Sequence, residues 1–410
     1  MTYASVIPAT RETIHSLDET PFFARRALEL CLRLAYGELT MTLPSGQRLH
    51  FDAPQEGVAA EMEIHDWRCL RKVLTGGALG FAEGYIDGDW TTRDLPRLLQ
   101  MFSANFEKWE AGLNTNWLFN MLTRLQHMAR SNSKRQAEKN IHAHYDLGNA
   151  FYSRWLDPSM TYSSALYEHE GQDLEAAQRN KYRALADSIA LKEGDHVLEI
   201  GCGWGGFAEY AAKERGAKVT GITISKEQLA FAQERMQRCQ LNDKVNIEYT
   251  DYRDVQGRFD AVASIEMFEA VGQEYWNSYF GKIAEVLKPG GRAGLQIITI
   301  KDEIFDGYQK SVDFIQKYIF PGGMLPSVEK LKDEFSKAEL FLDNTLEFGH
   351  DYADTLAEWR IRFERVWDEI AHDLDFDERF RRLWNYYLAY CEAGFRTERI
   401  NVGQFSLIRA

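Results

Sequence analysis

The stretch V-L-E-I-G-C-G-W-G-G, Val197 to Gly206, decides the fold. A β-prone run containing one acid leads into a glycine cluster, and Phe207 to Lys213 reads as the first turns of a helix. In a strand, tight turn and helix N-terminus of this kind, Gly201, Gly203, Gly205 and Gly206 let a ligand press against bare backbone. Many nucleotide-like ligands use such a turn, so the flanking sequence has to choose among them.

Downstream, strands and helices alternate. The strands are Ala217 to Ile224, Lys244 to Tyr249, Phe259 to Ile265 and Arg292 to Ile300, with helices at Ser225 to Cys239 and Tyr275 to Leu287. Alternation predicts a parallel α/β sheet with right-handed crossovers and a ligand at the carboxyl ends of the strands. Beyond Ile300 an aromatic segment, Phe305 to Met324, interrupts the pattern and reads as a lid. A strand at Leu340 to Phe348, helices at Ala353 to Ala371 and Asp377 to Ala393, and a last strand at Val402 to Arg409 follow.

Upstream, the first 115 residues read as a small α+β domain. A helix is expected from Pro21 to Tyr36 and a hairpin from Leu39 to Phe51, turning at Pro44-Ser45-Gly46. A strand at Ala60 to His65, a helix at Asp66 to Leu74, a glycine-rich turn region at Gly76 to Trp90 and a helix from Leu95 to Phe106 complete it. Residues 116–143 form a basic amphipathic linker, with Trp117, Leu118, Met121, Leu122, Leu125 and Met128 at helical spacing beside Arg124, Arg130, Lys134, Arg135 and Lys139. That pattern suits either a helix docked on a domain or one lying on anionic lipid. Residues 144–410 are the expected catalytic domain.

A formal charge of −14 disfavours a nucleic-acid partner. Five scattered cysteines with no C-x-x-C spacing suggest neither a disulfide framework nor a metal site, and point to a reducing cytoplasm. No apolar run is long enough to span a membrane.

The glycine spacing is not G-x-G-x-x-G, and the second strand ends in G-I-T-I-S without the acid that holds a dinucleotide ribose. A turn preceded by Glu199 suits a ligand carrying an ammonium group and ribose hydroxyls, namely S-adenosylmethionine. D-Y-R-D, Asp251 to Asp254, follows the third strand, where it can meet an adenine.

The runs H-Y-D-L-G-N, L-D-P-S-M-T-Y-S-S, V-L-E-I-G-C-G-W-G-G, G-I-T-I-S-K-E-Q, M-F-E-A-V-G, K-Y-I-F-P-G-G-M-L-P-S and G-H-D-Y carry a closer likeness. From His144 onward the chain resembles the cyclopropane fatty acid synthases, relatives of the mycolic acid methyltransferases. The resemblance implies a Rossmann-like class I methyltransferase sheet with helical lid insertions, preceded by a lipid-presenting domain. It also implies transfer of the adenosylmethionine methyl group to the cis double bond of an acyl chain in a membrane phospholipid. The alkene attacks the methyl, a carbocation forms, and loss of a proton from the new methyl closes a cyclopropane ring. An apolar aromatic pocket would protect such a cation from water. Work at the inner face of the membrane favours the interfacial reading of the basic linker, and the architecture implies a homodimer.

The resemblance carries over residue by residue. Tyr162, Ser163, Gly201, Gly203, Thr223, Gln228, Asp251, Tyr252 and Ile265 are expected to join Glu199 in contacting the cofactor. The family holds a bicarbonate ion as base with a cysteine, a glutamate, a histidine, a tyrosine and a backbone amide. The glutamate, tyrosine and amide fall on Glu269, Tyr352 and Ile298, whereas Ser164 replaces the cysteine and Gln296 the histidine. Serine and glutamine can still donate to an anion. They also suit a site without the ion, in which the cation loses a different proton and leaves a methyl-branched alkene. A non-catalytic lipid-binding protein would require neither Glu269 nor Tyr352. Cys202 reads as a small residue that fits the turn, and Glu266, three residues before Glu269, as a solvated residue at a helix start with a second acid in the pocket as the alternative.

Overall fold

The computed structural model describes residues 6–110 and 147–410. The basic linker helix and His144 lie outside the described residues. The chain divides into two compact units, one made of 1–126, 311–314 and 371–399, the other of 127–310, 315–370 and 400–410. Two pieces of the expected 144–410 segment thus pack with the N-terminal residues.

In the first unit, five strands, β1 (Val6–Pro8), β2 (Tyr36–Thr42), β3 (Arg48–Asp52), β4 (Gln55–Ile64) and β5 (Trp90–Thr91), form a sheet in the order β1-β3-β2-β4-β5. The expected hairpin is present, with Leu39 opposite Phe51 and Met41 opposite Leu49. These four side chains are buried while their neighbours along the strands face outward, which is the period-2 pattern of a sheet with one wet face. The glycine-rich stretch expected as a turn is instead helical: one helix runs Arg68–Ile86, kinked at Gly77, where φ is 56°. Its glycines serve close packing. A Cβ at Gly80 would stand 1.9 Å from the Lys72 carbonyl oxygen, and one at Gly84 would stand 3.0 Å from the Trp90 ring. The helix Glu378–Arg396 packs on Leu95–Glu110 and on Arg68–Ile86 within this unit.

The second unit holds a seven-stranded sheet: β6 (His196–Ile200), β7 (Lys218–Thr223), β8 (Val245–Tyr249), β9 (Phe259–Ile265), β10 (Leu287–Ile300), β11 (Leu340–Glu347) and β12 (Ile400–Arg409), in the order β11-β12-β10-β9-β6-β7-β8. The strands β10, β9, β6, β7 and β8 are parallel, as the alternation predicts. Antiparallel β12 and β11 extend the sheet. Its central strands are buried on both faces, which requires near-continuous apolar runs such as F-D-A-V-A-S-I. Strand order reverses between β6 and β9, so a crevice opens at the carboxyl ends of these two strands.

Candidate active site

At the end of β6 the chain enters the glycine turn. Gly201, Gly203 and Gly205 have φ of 78°, 53° and 81°, a region that costs a side-chain-bearing residue about 1 kcal/mol or more. The backbone N–H groups of Gly201 and Cys202 both donate to the Ile222 carbonyl at 3.0 Å, pinning the turn to β7. A Cβ on Gly203 would meet nothing within 4 Å, so the turn faces open space there. Glu199 is 3% exposed, and its Oε2 has no hydrogen-bond partner among the described residues. Burial pushes its carboxyl up to about 8. An orphaned buried acid beside open space and bare backbone fits a ligand with an ammonium group and hydroxyls. Cys202 is buried in the turn and burial pushes its thiol up, the setting of an inert packing residue.

The other expected cofactor contacts lie on the same edge of the sheet. Thr223 ends β7 and donates to Gln228 Oε1 at 2.9 Å, while Ser225 caps the helix Lys226–Arg238 that carries Gln228. Asp251 follows β8, and both its oxygens accept from Arg253, whose guanidinium lies 5.4 Å and 5.5 Å from the Tyr252 and Tyr275 ring centres. Ile265 closes β9. Tyr162 lies in the loop before the helix Leu174–Ser188, with its ring 5.2 Å from Trp359 and 5.2 Å from Tyr152. Ser163 is buried; its carbonyl accepts from Gln178 Nε2 at 2.9 Å and its hydroxyl from Lys181 Nζ at 2.7 Å.

The expected anion-binding residues converge on Glu266, the group that the sequence reads first as solvated and otherwise as a second acid in the pocket. Glu266 is partly buried, and its carboxylate is the centre of the site. Oε1 accepts from the Ser164 backbone N–H and from Gln296 Nε2, both at 2.8 Å, and Oε2 accepts from the Tyr352 hydroxyl at 2.5 Å. Glu266 has φ of 48°, and its own N–H donates to the Gln296 carbonyl, so the chain turns sharply as it leaves β9. Gln296 is fixed from behind by Gln404 on β12, whose amide donates to its Oε1 at 3.1 Å.

Glu269 stands one turn further on. Its Oε1 accepts from Ile298 N–H at 2.6 Å, and its Oε2 is buried without a partner among the described residues. Burial, reinforced by the Glu266 charge, pushes it up to about 8, so at neutral pH it is largely a neutral acid. Burial also raises Glu266, against the lowering influence of Tyr352, Lys181, Ser164 N–H and Gln296. The two neighbouring carboxyls have unequal donor sets: Glu266 accepts from Ser164 N–H, Gln296 and Tyr352, and Glu269 from Ile298 N–H.

Ser164, Gln296 and Tyr352 close on one carboxylate and Ile298 on another, and a bicarbonate at the same donors would lie against both acids. The hydroxyl of Ser164 itself turns away to the Ala165 carbonyl, 2.9 Å distant. A wall of rings flanks the site, with Tyr352, Tyr162 and Trp155 each within 6.2 Å of buried Trp359. Sequence reasoning missed Trp359, Lys181, Gln178 and Gln404. The one legible signal was Lys181, which sits on the same helical stripe as Leu174, Ala177, Gln178 and Leu185.

The family model described as mycolic acid cyclopropane synthetase matches residues 132–405. The chain belongs to this family. It is therefore an enzyme of the S-adenosylmethionine-dependent methyltransferase class. The chain is 37% identical over 394 residues to the tuberculostearic acid methyltransferase UfaA1 of Mycobacterium tuberculosis, covering 94% of this chain and 89% of that protein. It is 38% identical over 350 residues to the cyclopropane-fatty-acyl-phospholipid synthase of Escherichia coli, covering 84% and 87%. Among solved structures, the mycolic acid cyclopropane synthase CmaA1 complexed with SAH and CTAB matches with a TM-score of 0.62 and 28% identity, over 66% of this chain and 98% of that one. These relatives thus carry the names of both a methyltransferase and a cyclopropane synthase.

Proposed function

We infer that the chain methylates a carbon of the cis double bond in an unsaturated acyl chain of a membrane phospholipid, and that the Glu266 carboxylate is the base that ends the reaction. The observation that carries this reading is the convergence of Ser164 N–H, Gln296 and Tyr352 on Glu266. Bound against the glycine turn and Glu199, S-adenosylmethionine supplies an electrophilic methyl group. The chain's residues do the rest.

Alkene π electrons form the new carbon–carbon bond, which leaves a positive charge on the neighbouring carbon. Trp359, Tyr162 and Tyr352 exclude water that would trap this charge and present ring faces to it. One C–H bond then breaks, its electrons neutralise the cation, and its proton goes to Glu266 Oε2, the oxygen with a single donor. Tyr352 holds that oxygen in place. Glu269 stays protonated, so the site carries one carboxylate charge rather than two.

A base built into the chain serves either product, according to which proton it removes; we favour a methyl-branched alkene because the relative matched over 94% of this chain is named a methyltransferase. Ring closure is the second reading, supported by Glu269, Ile298 and Tyr352 standing at the positions expected from the cyclopropane synthases. Peripheral contact with the inner face of the membrane, through the basic segment 116–143, and a homodimer belong to the same proposal. Among the described residues no helix is long and apolar enough to cross a membrane.

Incubation with S-adenosylmethionine and vesicles of cis-unsaturated phospholipid tests both readings. A gain of one methylene that takes up hydrogen on catalytic reduction is expected; a gain that resists reduction identifies the ring. No mass gain in any cis-unsaturated lipid would overturn the function. Activity unaffected by bicarbonate depletion is expected from the built-in base, and a proportional loss would return the ion to the site.

A further inference from the structure

Lys181 is fully buried, at 0% exposure, in the middle of the helix Leu174–Ser188. A lysine is almost never found there unless its charge is answered. Among the described residues its ammonium donates one hydrogen bond, to Ser163 Oγ at 2.7 Å, a neutral partner. The charges that face it come from three other elements: Glu266 beyond the end of β9, Glu199 on β6, and Asp157 in the loop before Ser163. Its ammonium lies 4.5 Å from the Tyr182 ring centre, on its own helix. The helix is held to the site from the other side, where Gln404 on β12 donates to the Lys181 carbonyl at 3.1 Å and also to Gln296. Around Glu266 itself stand Glu269, Tyr352 and this lysine. Arg235 acts on Glu199.

We propose that Lys181 is a positioning residue for the methyl-transfer reaction, fixing the Ser163 hydroxyl beside the cofactor turn and keeping the Glu266 carboxylate ionised. The inference rests on Glu266 being the base. Two acids near one another in a dry site cannot both be ionised without help. Donors from Ser164, Gln296 and Tyr352 localise the negative charge on Glu266, and a buried cation nearby lowers the cost of holding it there. Burial brings the lysine down to about 7, so its charge and the carboxylate charge depend on one another. Lys181 forms no bond to the substrate and passes no proton.

The test is the pH profile of kcat in the full chain for Lys181→Gln, Lys181→Arg and Glu266→Gln. Lys181→Gln keeps a donor for Ser163 and removes the charge. Its acid limb is expected to move to higher pH by about one unit, with kcat on that limb lowered about tenfold. Lys181→Arg, which restores the charge, is expected to move the limb back toward its original position. An unshifted limb in Lys181→Gln, with Glu266→Gln inactive, would overturn the role of Lys181 alone. Full activity in Glu266→Gln would overturn the base assignment on which it rests. If the lysine variants fail to fold, the same coupling is read in the reverse direction by NMR of ε-13C-lysine-labelled protein. The buried lysine should titrate about one unit lower in Glu266→Gln than in the unaltered chain, and an unmoved titration would overturn the proposal.

Discussion

The Tyr352 hydroxyl lies 2.5 Å from Glu266 Oε2, joining the first turn of the helix Gly349–Arg365 to the residue that follows β9, 86 positions earlier. The same helical turn holds the cofactor-side loop, since Thr355 accepts from Ala165 N–H and Asp351 from Tyr167 N–H. One element thus sets the base and the loop bearing Tyr162, Ser163 and Ser164.

Glu266→Gln keeps the shape of the side chain and removes its basicity. Turnover is expected to fall by about 10²–10⁴-fold, the range for loss of a general base. Affinity for S-adenosylmethionine, measured by calorimetry, should change less than about threefold, because Glu266 is outside the glycine turn. Turnover within tenfold of the unaltered enzyme would remove Glu266 from the mechanism.

Glu269 gives a stability prediction with a definite sign. Its folded value, about 8, lies above the ordinary 4.5. The group therefore contributes stability in full below about pH 4.5, and that contribution is lost as pH rises toward 8. Glu269→Gln, permanently neutral, should leave Tm nearly unchanged at pH 4.5 and raise it relative to the unaltered chain at pH 8. A Tm difference that is the same at both pH values would contradict the assignment.

Gly201→Ala and Gly203→Ala should separate folding from binding. A Cβ at Gly201 would stand 2.6 Å from Met267 Cγ, so Gly201→Ala is expected to lower both Tm and cofactor affinity. At Gly203 the space is open, leaving only backbone strain of about 1–2 kcal/mol. Gly203→Ala should lower Tm by a few degrees, yet weaken S-adenosylmethionine binding at least tenfold because the methyl occupies ligand space. Equal losses of affinity and stability in both variants would refute that difference.

Arg253 holds both oxygens of Asp251. Arg253→Met should remove the guanidinium that holds both oxygens, leaving the residue 253 backbone N–H on Oδ1, and raise KM for S-adenosylmethionine about tenfold with kcat changed by less than twofold. A loss confined to kcat would detach Asp251 from cofactor binding.

The second unit was largely legible in the sequence. Its strands are short apolar runs between helices of unmistakable period, so β6 to β10 and the helices Lys226–Arg238 and Trp276–Val286 fall within a few residues of expectation, β10 starting earliest, at Leu287. The helix Arg68–Ile86 was not, because glycine marks both turns and places where two backbones approach closely. Only the nearness of Gly80 to Lys72 and of Gly84 to Trp90 distinguishes the two uses. The sequence did not decide between solvent and pocket for Glu266, for a related reason. An acid just after a strand is ordinarily solvated, and nothing local reveals that three donors from residues 164, 296 and 352 will meet it.

By itself, the sequence determined the glycine turn and hence a nucleotide-like ligand, because a left-handed backbone and bare Cα atoms are local properties that only glycine supplies cheaply. It also determined the doubly wound sheet, since apolar period and strand–helix alternation are written along the chain. Only the tertiary structure decided how many donors and how little water surround each carboxyl, because Glu266, Glu269 and Lys181 acquire those surroundings from segments brought together by folding alone.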